Sequence, residues 1–408
     1  MIYDPRTYHS RITRISISNY RSVGNLTWLD LNQLTALVGP NGSGKSNICD
    51  AFRFIADALK LGLEAAINKR NGIEAIRRWS PGQPNSLRFL VQIEFTKDVS
   101  NHNDAVPHPL EAHYFFALSN SKSKILRVKQ EFAMITWSDR DYSSSFFVRY
   151  GSWQDGPPEL RPYIAPLSLA LPLIAGDERF RPIADALRSI SIYSIFPDTL
   201  REPQKPDQSK PMNEHGANWS SILKDLKTKL QSQDLIAAIG QLTGDIDDFR
   251  IKLAAGYLVA EFRHGLSVIT GRNGKLRPRW FEAAQESDGT LRMAGILTAL
   301  LQQPSPTLLG IEEPELTVHP GAIPLLYDHI KEASQRGQII LTTHSPDLLS
   351  LLDANEVRVV ERRDGVTTVA AMDEAQRLAV HNRLFTPGDL LRMEGLKQQV
   401  PTDASRET

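Results

Sequence analysis

One cysteine, Cys49, is present in 408 residues, so no internal disulfide framework exists and the chain suits a reducing cytoplasm. No apolar run is long enough to cross a bilayer: the most apolar short run, LSLALPLIAG at 167–176, is too short and contains a proline. The N-terminal MIYDPRTYHSRITRISI has no continuous apolar core of the signal-peptide kind. Charge of one sign is also missing. Lys plus Arg and Asp plus Glu each total 47, which excludes a global basic field and leaves only local patches for a polyanionic partner. No internal repeat occurs, and no heptad pattern persists long enough for an extended coiled coil. The expectation is a cytoplasmic protein with no membrane partner and enough length for two or three packing units.

The residues present alternate between two textures. RITRISISN at 11–19 reads as a half-buried strand, and LTALV at 34–38 as a fully apolar one. LTALV runs into GPNGSGKS, and NICDAFRFIADALKLGLEAA follows with the apolar spacing of an amphipathic helix. From 86 to 150 the chain is strand-like, with SNSKSK at 119–124 as a hairpin turn. From about 160 to 245 it reads as helical, interrupted by FPDTLREPQKPDQSKP at 196–211, which we expect to be a surface loop. A strand pair in FRIKLAAGYLVAEFRH, a helix opening at ESDGT, the strand TLLGI, a helix at 321–335 and the strand QIILTT complete the order. Strands alternating with helices there imply a parallel sheet with crossovers.

Gly39, Gly44, Lys45 and Ser46 satisfy G-x-x-x-x-G-K-[ST] between a strand and a helix. Backbone N–H groups of Gly39, Pro40, Asn41, Gly42, Ser43, Gly44, Lys45, Ser46 and Asn47 (Pro40 excepted, having none) can wrap a phosphate at the helix N-terminus. Lys45 reaches the outer phosphates and the Ser46 hydroxyl can ligate Mg²⁺. Such a loop needs a second, acidic group on a neighbouring strand. Glu312 and Glu313 stand at the C-terminal edge of TLLGI, where open α/β sheets bind ligands. If the strand alternation continues, the two carboxylates diverge, Glu312 towards Mg²⁺ and Glu313 towards the attacking water. A carboxylate is a weak base, so orienting that water matters more than deprotonating it. A solvated turn is the competing reading of the pair.

His344, after LTT, could hydrogen-bond a γ-phosphate oxygen or could be structural. Ser287, Asp288 and Gly289 in ESDGT offer either an anion-binding helix start or a simple N-cap. Arg70, in NKRNG, either reaches the phosphates or is a solvated surface charge. Two basic clusters, Arg272, Lys275, Arg277 and Arg279, and Lys122, Lys124, Arg127 and Lys129, are candidate DNA or RNA contacts or plain surface.

The stretches ISNYRSV, LVGPNGSGKSN, SDGTLRMAGIL, IEEPELTVHP and LTTHSPDLL resemble the RecF/SMC-like branch of ABC-class ATPases. They are similar to the compact, stand-alone AAA-type ATPases related to the overcoming-lysogenization-defect (OLD) family. Weaker similarity runs through IYSIFPDTLREP and FTPGDLLRM. The resemblance implies an α/β ABC-type P-loop NTPase head with a mixed or parallel core sheet, an antiparallel β subdomain and a helical insertion. It implies ATP and Mg²⁺ as cofactors, and a head-to-head homodimer with each ATP between one P-loop and the partner's SDGT. By that analogy Ser287 and Gly289 act in trans, Lys45, Glu313 and His344 carry hydrolysis, and Ser46 and Glu312 hold the metal.

The expected segments are an N-terminal lobe over 1–160, a helical insertion over 161–248, a C-terminal lobe over 249–396 and a disordered tail over 397–408. Relatives of this type serve DNA repair or antiphage defence. Some carry a Toprim nuclease domain, for which the residues after His344 are too few, so a separate nuclease or effector protein is the expected partner. A nucleotide-gated scaffold with negligible turnover is one alternative. A transporter ATPase subunit is another, which the lack of an LSGGQ signature disfavours. Two departures stand out: Glu286 replaces the usual apolar residue before the signature serine, and no glutamine identifies itself as that of the Q-loop.

Overall fold

The computed structural model describes residues 8–24, 27–78, 86–97, 108–120, 126–138, 143–228, 231–270 and 276–399. The chain forms two compact units: residues 1–190, 354–382 and 395–408 make the first, and 191–353 with 383–394 the second. The division cuts across the consecutive segments expected from the sequence. Its cause is a pairing: strand Val357–Arg363 lies parallel to Leu34–Val38, so a late piece of chain completes an early sheet.

The first unit contains a seven-stranded antiparallel sheet in the order Thr27–Asp30, Tyr8–Ser18, Leu87–Lys97, Pro109–Asn120, Leu126–Trp137, Ser143–Arg149, Ser152–Asp155. Period-two alternation gives it one buried face: Leu87, Phe89, Val91, Ile93 and Phe95 are all inside, with polar residues between them. The helix Lys45–Lys60 covers that face. Its Phe54 ring lies 5.5 Å from Phe89, which stacks on Phe116 at 4.9 Å. Burying a ring such as Phe54 contributes roughly 2–3 kcal/mol, and its consequence is positional, because the helix so fixed begins at the P-loop lysine. The helix is shorter than its apolar spacing suggests. It stops at Leu61, and Gly62, with φ of 90°, starts a separate helix Leu63–Asn68.

Leu34–Val38 is buried at every position, as a strand covered on both faces must be. Its neighbour Val357–Arg363 pairs in turn, antiparallel, with Val366–Ala371. The tail is partly ordered: Gln398 donates from its side-chain amide to the carbonyls of Val359 and Thr368, while residues 400–408 lie outside the described ones.

The second unit is built on three parallel strands, Ser191–Tyr193, Leu308–Glu312 and Gln338–Thr343, with Leu308–Glu312 in the middle. Gly310 has no side chain because a Cβ there would sit 2.3 Å from Ile192 Cδ1. The helix Asp288–Leu301, buried from Leu291 to Leu300, and the helix Ile323–Arg336 belong to the same unit. Ser191–Tyr193 is too short for its pattern to show, so the expected all-helical stretch contains a strand. The strand pair Ile246–Ala254 and Tyr257–Thr270 gains a third member, Leu276–Glu282, which includes Arg277 and Arg279 of the candidate basic cluster. Residues 196–211 are more than a surface loop. They include the helix Pro197–Arg201, the buried Leu200, and a buried Gln204 whose amide donates to the carbonyls of Thr199 and Gly216. No helix among the described residues is long and apolar enough to cross a membrane.

Candidate active site

In the first unit the loop from Gly39 to Ser46 is held in shape from outside. A Cβ on Gly39 would meet the Val360 carbonyl oxygen at 2.1 Å, and one on Gly44, with φ of 106°, would meet Thr367 Oγ1 at 2.2 Å. The Thr367 hydroxyl lies 2.7 Å from the Ser43 carbonyl oxygen and 2.8 Å from Ser22 Oγ, which accepts from Asn47 Nδ2 at 2.6 Å. Thr367 and Ser22 thus brace the loop. Neither is identifiable from the motif, since one belongs to a strand over 300 residues away in sequence and the other to ISNYRSV.

Lys45, almost completely buried, donates from Nζ to the carbonyls of Gly39 at 2.7 Å and Pro40 at 3.2 Å. Ser46 is exposed at the loop surface. The helix beginning at Lys45 has Gly44 as N-cap, no side-chain cap and no acidic residue in its first turn. The Ser43 hydroxyl oxygen is buried without a hydrogen-bond partner. A helix start without a cap or anion, bordered by an unsatisfied hydroxyl and an ammonium group, has the donor set a triphosphate needs.

Arg70 is neither of the things the sequence suggests. It is buried, and its guanidinium is engaged by Asp50 (Nε, 3.0 Å), by Asp57 (Nη1, 2.9 Å) and by the Ala66 carbonyl at 3.1 Å. Asp50 also accepts from the Tyr20 hydroxyl and pairs with Arg21 at 2.8 Å. Burial raises the Tyr20 phenol far above its ordinary range, with Asp50 adding to the effect. Arg70 therefore ties the P-loop helix to the turn after it.

In the second unit the acidic pair departs from the alternation expected of a strand. The strand ends at Glu312, and Glu313 takes a left-handed backbone with φ of 47°. Its N–H donates to the carbonyl of Thr342 at 3.0 Å and lies 3.1 Å from Thr342 Oγ1, on the neighbouring strand. The turn at Glu313, and not a continuing pleat, sets the direction of its carboxylate. His344 Nδ1 lies 3.5 Å from Glu313 Oε1, so this histidine and the second glutamate share one corner. Glu315, which the sequence reading passes over, accepts from Thr343 Oγ1 at 2.6 Å and keeps a buried oxygen without a partner.

Ser287 caps the helix Asp288–Leu301 by accepting from Thr290 N at 3.1 Å, so the N-cap reading of ESDGT holds as local structure. Asp288 pairs with Arg201, which also donates to the Glu286 carbonyl at 3.1 Å. Gly289 is required by space, because a Cβ would lie 2.7 Å from the Thr317 carbonyl oxygen. Glu286 is not a free negative charge. Its carboxylate meets His264 Nε2 at 2.8 Å, and Asp245 meets Nδ1 of the same ring at 2.7 Å. The two carboxylates raise the His264 pKa although burial opposes them, while burial raises that of Glu286. Glu286, which precedes Ser287, is thus paired through the His264 ring, which it shares with Asp245.

The basic clusters are only partly described. Arg272, Lys275, Lys122 and Lys124 lie outside the described residues, as does the 121–124 part of the expected hairpin turn. Arg277 falls on the strand Leu276–Glu282, and Arg127 and Lys129 on Leu126–Trp137. Arg279 places its guanidinium 4.5 Å from the Phe281 ring centre.

Residues 34–350 match the family model described as "AAA domain, putative AbiEii toxin, Type IV TA system". The chain belongs to this AAA family. Over 392 residues it is 25% identical to the Old nuclease of Escherichia phage P2, covering 89% of this chain and 61% of that protein. It thus spans about three-fifths of that relative's length. The fold is similar to that of an Smc head bound to the C-terminal winged-helix domain of ScpA, with a TM-score of 0.53 and 16% identity over 90% of this chain and 99% of that one. A second Smc head, solved with the C-terminal domain of ScpA derived from Pyrococcus furiosus, gives a TM-score of 0.53 and 14% identity over 92% and 99%. The fold of this AAA-family chain is therefore like that of the Smc heads, and its sequence is similar to that of Old.

Proposed function

We propose that the chain is an ATP-hydrolysing switch whose P-loop and acidic strand serve one Mg²⁺-ATP, with the SDGT segment of a second copy completing each site. The observation that carries this reading is the pairing of Glu313 with His344 at the end of parallel strands, in a chain that also carries the P-loop motif at 39–46. Ser46 and Glu312 would hold Mg²⁺, which supplies charge neutralisation between carboxylates and phosphates. Lys45 binds the outer phosphates, exchanging the loop carbonyls it now contacts for phosphate oxygens. Glu313 orients the attacking water and His344 reports on the γ-phosphate. Ser287 and Gly289 face the nucleotide of the partner.

Closing on ATP and opening after hydrolysis gives such a pair a mechanical output. Relatedness to the Old nuclease supports an output onto nucleic acid or an effector protein, in genome maintenance or antiphage defence. Steady-state hydrolysis, measured beside ATP binding, tests the assignment. Lys45→Ala loses binding. Glu313→Gln binds ATP as tightly as wild type and turns over about a hundredfold more slowly or worse. Wild-type turnover by Glu313→Gln contradicts the role given to that carboxylate.

A further inference from the structure

The signature helix carries a buried arginine that holds the backbone of the acidic pair. Arg292, five residues after Ser287, is only 4% exposed. Its Nη2 donates to the carbonyls of Glu312 at 3.1 Å and Glu313 at 2.9 Å, and its Nη1 to the Ile195 carbonyl at 2.5 Å. Burial lowers its pKa, and the charges of Glu313 and Glu315 oppose that effect. Glu313 is thus gripped from both sides: its N–H by Thr342 on the switch strand, its carbonyl by Arg292. A left-handed non-glycine residue keeps that conformation only where its surroundings fix it. Here the fixing groups come from two different elements.

We propose that Arg292 is a positioning residue that conveys the seating of the signature helix to Glu313 of the same subunit. The proposal rests on the function proposed above, in which Ser287 faces the partner's ATP while Glu313 serves the chain's own. Ser287 and Arg292 share one helix, about 7.5 Å apart along its axis at 1.5 Å per residue. A shift of the helix start is carried rigidly to the guanidinium, and from there to the carbonyl that sets the Glu313 turn. Each ATP site is in this way informed of the other. Three carbonyls in a fan suit a planar guanidinium with several donors, and a lysine ammonium at the end of a flexible stem reproduces the charge without the fan.

The test is Arg292→Lys in the full chain, assayed for ATP affinity, kcat, KM and the Hill coefficient of hydrolysis, with Glu313→Gln alongside. The expected result is unchanged ATP affinity, kcat lowered about tenfold to a hundredfold, as ångström-scale misplacement of a catalytic group gives, and a Hill coefficient moved towards one. Wild-type kcat and Hill coefficient in Arg292→Lys, while Glu313→Gln stalls, overturn the proposal and leave the active-site reading standing. A lowered kcat with an unchanged Hill coefficient also overturns it, since that is packing without coupling. If Glu313→Gln hydrolyses like wild type, the reading beneath the proposal fails and the proposal with it. Should Arg292→Lys not fold, Thr342→Val loosens the other side of the same turn. Lowered kcat at unchanged affinity, with the Hill coefficient moved towards one, then supports the proposal, and a wild-type kcat or an unchanged Hill coefficient overturns it.

Discussion

Arg70 shows how much a single side chain's surroundings decide. In the sequence it is one arginine in a polar turn, equally suited to phosphate or to solvent. In the fold it is buried between Asp50 and Asp57, and removing one partner of such an ion pair strands the others without water. Arg70→Ala is expected to lower the unfolding free energy by about 3 kcal/mol, read by denaturant titration, and to leave ATP affinity unchanged under folding conditions. A specific loss of ATP affinity without loss of stability would return Arg70 to the phosphates. Gly39, Gly44, Lys45 and Ser46 are singled out by their spacing alone. Thr367, Ser22, Arg292 and Glu315 are not, because their partners are distant in sequence and no periodicity records them. Glu313 was legible as a carboxylate at a strand end, but its left-handed turn was not, since that turn is imposed by the Thr342 backbone and Arg292.

Among elements, a buried carboxylate and a bridged histidine make stability depend on pH with a sign that can be stated. Glu131, on the strand Leu126–Trp137, is fully buried and accepts from the N–H groups of Ala170 and Leu171 and from the Tyr114 hydroxyl. Burial nevertheless raises its pKa from 4.5 to about 7. A folded value above the unfolded one means the folded state holds the proton longer, so stability is greatest below the ordinary carboxylate value and declines as pH rises through about 7. Across that window the decline is about 3 kcal/mol, and Glu131→Gln should flatten it in unfolding experiments between pH 5 and pH 8. The His264 bridge at the signature helix has the same sign. Its raised value makes its contribution complete below the ordinary histidine range and lost as pH rises through the higher folded value. The stability lost in His264→Gln should accordingly be larger at pH 6 than at pH 9. A difference that grows with pH would contradict the imidazolium between Asp245 and Glu286. Long alternating strands such as Leu87–Lys97 were readable because burial on one face writes a period of two. The strands Ser191–Tyr193 and Leu276–Glu282 were not, the first being three residues long and the second masked by its arginines.

For the molecule as a whole, the sequence order of P-loop, SDGT, paired glutamates and histidine carried the fold class. It did not carry the division into units, because a parallel partner for Leu34–Val38 arrives only at Val357. The central claim concerns assembly: one nucleotide served by the P-loop and Glu313 of one copy and by Ser287 of another. Mixing two inactive variants measures this directly. Lys45→Ala spoils a P-loop and keeps a signature, and Ser287→Arg spoils a signature and keeps a P-loop, so a mixed pair contains one intact site. The account predicts that the mixture hydrolyses ATP at a rate well above either variant alone. A mixture as inactive as its components, with subunit exchange demonstrated, would contradict it.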